Sequence, residues 1–160
     1  MPSRDYILRL VEQVGEFLAR ILRQKEEKRP QEALQSVMAA CERLFGMEAV
    51  RVFQFTPEQQ VALLMTGTTP DDGREKVMMY AALMAESAGC FDQLGQSEQA
   101  RQARVQALRL IVNVWSEAFP QTAWPHFAPD PDRLMREIGA VATDDPAMEW
   151  IVAARQQMRG

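Results

Sequence analysis

Apolar residues recur three and four positions apart along most of this chain, the period of a helix with one buried side. The first such run is Ile7, Leu10, Val11, Val14, Phe17, Leu18, Ile21 and Leu22. It predicts a long amphipathic helix over 4–28, within an N-terminal unit of residues 1–29. Ser3 is placed to cap it, and Asp5 lies in the first turn, where the helix dipole favours an acid. Asp5 with Arg9, and Glu16 with Arg20, stand at the spacing of favourable ion pairs. Pro30 sets the boundary, since the residue before a proline avoids the helical region.

A second helix is expected over 31–45. Leu34, Val37, Met38, Cys41, Leu44 and Phe45 form its buried side, and Gly46 its C-terminal cap. Residues 48–55 are rich in β-branched and aromatic side chains but do not alternate. With no partner strand elsewhere, they read as a helical turn or an extended linker packed on the core. Thr56, Pro57 and Gln59 open a short helix with Val61, Leu64 and Met65 inward. Gly67 ends it, and TGTTPDDG reads as a loop.

Asp72, with Glu75 three residues on, is the expected cap of a helical hairpin over 73–116. Its first helix buries Val77, Ala81, Met84, Ala88 and Phe91. Gly95 breaks the chain, and Ser97 caps a second helix running toward Ala118. That helix offers Ala100, Ala103, Ala107, Leu110, Ile111 and Val114, with Leu108 and Trp115 on another side. Small residues face each other where two antiparallel helices must close up. Residues 119–131, FPQTAWPHFAPDP, carry four prolines and three large aromatics. They predict an ordered irregular crossing that lays aromatics over a helical surface. Asp130–Pro131 and Asp145–Pro146 then start two further helices, to about Ala142 and Gln157. The fold class is all-α: a closed helical domain of antiparallel hairpins with six or seven helices, spanning residues 1–160 as one unit.

Composition changes this picture little. The chain has 160 residues, of which 47% are apolar and 25% charged, values ordinary for one globular core. The formal net charge is -4. The only basic cluster is Arg20, Arg23, Lys25, Lys28 and Arg29, interrupted by Glu26 and Glu27, so no nucleic acid is expected as a partner. No apolar run approaches the length of a membrane span, and MPSRDYILRL lacks the apolar core of a signal peptide, so no membrane and a cytoplasmic location are expected. Cys41 and Cys90 lie on or near apolar stripes and read as buried free thiols.

Catalytic chemistry finds little to work with. The one histidine, His126, sits between Pro125 and Phe127 and reads as structural. No Glu-x-x-His pair, paired-cysteine spacing or phosphate-binding loop is present, so neither metal nor cofactor is expected. The adjacent acids Asp71–Asp72 and Asp144–Asp145 read as turn and cap residues. Ten methionines either fill irregular helical cores or adapt a groove to a partner.

The hairpin resembles a tetratricopeptide repeat, a pair of helices with small residues at fixed offsets around a turn glycine. Met84, Ala88, Phe91, Gly95, Ala100 and Ala107 match that pattern. Arg104 stands where the family prefers a bulky apolar residue, and Val112 where a repeat usually ends in proline. A weaker echo runs through Ala33, Val37 and Ala40. The start RDYILRLVEQV, with Asp5, Tyr6, Ile7, Val11 and Glu12, is similar to a family of small uncharacterised bacterial helical proteins. That resemblance implies no activity.

The expected function is a non-catalytic protein-interaction module or homo-oligomer. Arg74, Met78, Arg101, Arg104 and Arg109 form the expected partner-binding surface, since arginine can engage carboxylates. The N-terminal helix is the expected face of a homodimer, the commonest closed assembly. The alternative is a small-molecule sensor or an enzyme with a pocket between helices.

Overall fold

The computed structural model describes residues 4–160. Among them run eight α-helices: α1 (Arg4–Glu26), α2 (Pro30–Phe45), α3 (Ala49–Val52), α4 (Pro57–Met65), α5 (Pro70–Gln93), α6 (Ser97–Val114), α7 (Pro131–Ile138) and α8 (Ala147–Arg159). The all-α reading holds. The Ser3 cap lies outside the described residues.

α5 is the axis of the molecule. It packs most extensively on α6, then on α2, and on α1 and α4. α1 also packs on α2, while α7 and α8 cover α6. One continuous apolar core draws on α1, α2 and on every helix from α4 to α8. In α5, Val77, Met78, Met79, Tyr80, Ala81, Leu83 and Ala88 are all essentially inaccessible to solvent. A helix buried on nearly all sides explains why its apolar residues crowd rather than stripe. Ala100, Ala103 and Ala107 of α6 are buried as expected. Phe91 is only half-buried.

The helix ends show what local signals decide. Thr56 accepts from the Gln59 amide while the Gln59 side chain accepts from the Thr56 amide, a complete capping box. The start of α5 is a correction. Thr69 caps it, accepting from the Asp72 amide, and Pro70 is its first residue. Residues 70–73 are therefore helix, not loop. Asp72 and Glu75 are instead taken by Arg4, with N···O distances of 2.6 and 3.1 Å. Gly73 lets the first turn of α5 approach α4, since a Cβ there would sit 2.6 Å from the Met65 sulfur.

α6 begins one residue before the expected helix start, with Gln96 as the flanking residue and no side-chain cap from Ser97. It ends at Val114, because Trp115 turns extended to stack edge-on against Trp124 at 4.8 Å. α7 ends at Ile138, where Gly139 takes a positive φ of 80°. Asp130 caps α7 as expected. Pro146 flanks the start of α8, and Asp145 just before it accepts from the Ala147 amide at 2.8 Å. Residues 48–55 contain the single turn α3, which buries Ala49 and Val52 but leaves Val50 and Phe53 exposed.

The crossing of residues 119–131 is ordered in the way its aromatics require. Phe119 is buried, and Trp124 donates its indole N–H to the Phe119 carbonyl at 3.0 Å. Asp5–Arg9 and Glu16–Arg20 do not form ion pairs; Arg20 lies over the Phe17 ring at 5.3 Å.

Candidate functional site

Two faces of α1 are apolar. The inner one, Ile7, Leu10, Val14 and Ile21, is buried against the core. The outer one, Leu8, Val11, Gly15, Leu18 and Leu22, is offset by one residue; Val11 and Leu18 pack partly on the core, while Leu8, Gly15 and Leu22 are exposed. Leu8 is 52% and Leu22 46% exposed. Sequence reading merges the two stripes, because neighbouring residues on one helix differ by only about 100° in direction. The signal that separates them is present: the outer run steps by three and four throughout, and the inner one by three, four and seven.

Beside the outer face lies a cleft of about 510 Å³. Its floor is α5, at Ala82, Ala85 and Gly89. One wall is α1, at Val11, Gly15, Leu18 and Leu22; the other is the crossing and α7, at His126, Phe127, Pro129 and Leu134. Lys25 and Glu86 also line it, paired at 2.5 Å. Gly89 makes room for that pair, since a Cβ there would sit 2.8 Å from the Lys25 Nζ. The ammonium and carboxylate thus satisfy one another, and Arg104, Asp130, Arg133 and Glu137 add further charge to the side of the cleft facing α1.

A second groove of about 490 Å³ runs between α2, α5 and α6. Leu34, Met38, Phe53, Met84 and Phe91 line it, with Gln99, Gln102 and Gln106 among its polar groups. Met38 was expected on the buried side of α2 but is 43% exposed here. The methionines therefore divide: Met78 and Met79 fill the core, while Met38 and Met84 line this groove.

The five residues expected as a partner surface do not form one open face. Met78 has no exposed area and belongs to the core. Arg74 pairs with Asp71 at 3.0 Å, one turn away. Arg101 holds Asp145 at 2.7 Å, fixing the start of α8 on α6. Arg104 bridges Asp92 of α5 and Glu137 of α7, and these hydrogen bonds raise its pKa further above its ordinary value. That explains a charged residue where a repeat would carry an apolar one. Arg109 pairs with Glu58 and lies over the Trp150 ring at 4.7 Å. Each arginine is spent on tying helices, or one turn, of its own chain.

Among the described residues, no group of three histidine, cysteine or acidic side chains is arranged to hold a metal. No helix among them is long and apolar enough to cross a membrane. Both thiols are buried, and burial pushes Cys41 up to about 12 and raises Cys90 as well. No family model matches the chain, and neither a curated protein nor a solved structure matches it.

Proposed function

We propose that this protein is a cytoplasmic, non-catalytic helical module that works by protein–protein contact, with the outer face of α1 as its contact surface. The observation that carries the reading is the second apolar stripe of α1, which the chain's own core covers only in part, leaving Leu8 and Leu22 about half exposed. Leucines half in water at a regular helical spacing suit a facing helix better than solvent. The hairpin's likeness to a tetratricopeptide repeat supports the reading, as such hairpins bind proteins. The arginine-centred surface is a weaker candidate, because a partner would first have to break ion pairs within the chain.

The test is a photo-crosslinking residue placed at Leu22 in the native cell, with a matched one at Val152, which is also exposed. Protein adducts at position 22 and few at 152 are the expected result. Equal labelling at both, or none at 22, would reject the surface.

The α2–α5–α6 groove favours a second reading, a sensor for a small apolar molecule. Its volume falls in the range of ligand sites, and a mostly apolar lining with a few amides matches their usual make-up.

A further inference from the structure

α8 is held differently from α1, the other terminal helix. α1 packs on both α2 and α5, whereas α8 packs substantially on α6 alone. Its buried side is thin: Ala147, Ile151 and Ala154, two alanines and one isoleucine. Polar ties add to this small apolar contact. Arg101 holds Asp145 at 2.7 Å, the Arg109 guanidinium lies over the Trp150 ring at 4.7 Å, and the Gln157 side chain donates to the Trp115 carbonyl at 3.3 Å. The paired residue numbers rise together, so α8 runs parallel to α6 along most of its length. Arg101, Val105, Arg109 and Val112 recur three or four apart and share the side of α6 that these ties mark. Val105 and Val112 are half-buried.

The segment leading into α8 supplies a hinge. Val141 packs on the core, but Ala142, Thr143 and Asp144 after it are exposed. Rotation there swings α8 away while α7 stays seated. α6 does not depend on α8 for its place, since α5, α7 and α4 hold its other sides. An element with few buried apolar contacts opens at a lower free energy than the fold as a whole.

We propose that α8 is a strap that undocks from α6 as one unit while the rest of the fold stays closed, freeing Arg101 and uncovering the side of α6 that carries Val105 and Val112. The strap is independent of the α1 contact reading. Closed, it withholds Arg101 from any partner; open, it releases that arginine together with an apolar strip.

Thiol labelling of the full chain tests it, with Ala154→Cys as the probe. Ala154 is 0% exposed, as are Cys41 and Cys90, which report on the core in the same molecule. The new thiol should react at least about tenfold faster than either native one. Adding Asp145→Asn breaks the ion pair with Arg101 and keeps an acceptor for the Ala147 amide. It should speed labelling at 154 about two- to fivefold and leave Cys41 and Cys90 unchanged. A thiol at 154 no faster than Cys41 and Cys90, or unmoved by Asp145→Asn, would overturn the proposal. Amide hydrogen exchange of the unaltered chain guards against a probe that disturbs the packing. The amides from Ile151 to Gln157 should share one protection, well below that of α5. Protection that instead climbs from Gln157 back to an Ile151 as slow as α5 would show fraying of the chain end alone, and would equally overturn it.

Discussion

Tyr80→Ala should destabilise the protein by about 3–5 kcal/mol, the usual cost of deleting a buried ring. Tyr80 is 1% exposed in the middle of α5 and meets Phe45 edge-on, with ring centroids 5.0 Å apart. Its phenol is hydrogen-bonded to Gln106 and Gln60. Gln60, also buried, donates to the Val52 carbonyl at 2.9 Å and accepts from Gln106 at 3.2 Å. This short polar network ties α3, α4, α5 and α6 through one buried spot. Tyr80→Phe keeps the ring and leaves the amides short of a partner, so it should cost about 1–3 kcal/mol. Urea midpoints of the two variants give both numbers. A Tyr80→Phe midpoint equal to the wild type would mean that the phenol contributes nothing to the network.

The second large effect is alkaline. Burial first, and the Glu42 charge second, raise the Cys41 thiol from 9.0 to about 12. Below pH 9 the thiol is protonated in both the folded and the unfolded chain, and its contribution is fully present. Between pH 9 and about 12 the unfolded chain releases this proton while the folded one keeps it. Stability therefore falls by about 1.4 kcal/mol per pH unit for this group. Burial raises Cys90 and Tyr80 too, with the same sign. Lys76 runs the other way: burial lowers its pKa, so the unfolded chain holds the extra proton as pH rises toward 10.5. Cys41→Ala isolates the thiol. The stability advantage of the wild type over Cys41→Ala should shrink between pH 9 and 11 at about that slope. Parallel curves for the two proteins would contradict the assignment.

Much of the fold is legible locally. Thr56–Pro57–Gln59 is read correctly because a capping box is complete within four residues. Gly95, Gly46 and the aromatic crossing are read for the same reason. What escapes depends on distant partners. Thr69–Pro70 carries the same opening signal as Thr56–Pro57, yet Asp72 competes with it in sequence. Arg4, remote along the chain, takes Asp72 in an ion pair. The arginines escape in the same way. Nothing near Arg101, Arg104 or Arg109 in sequence reveals Asp145, Glu137 or Glu58 as their counter-charges. Met78 misleads because periodicity assumes one buried side, while α5 is enclosed on nearly all of them. The outer stripe of α1 was visible as a spacing but not as a surface. Only the packing of α1 on α2 and α5 shows which of its two stripes is left over.

The central claim is that the outer face of α1 is covered in solution. Methyl NMR of the full chain, methyl-labelled and returned to an extract of its own cells with a soluble paramagnetic agent added, reads that directly. The methyls of Leu8 and Leu22, 52% and 46% exposed in the single chain, should be shielded from the agent. Those of Val152, 42% exposed on α8, should be strongly attenuated. Leu8 and Leu22 attenuated as strongly as Val152 would show the face open to water and contradict the account.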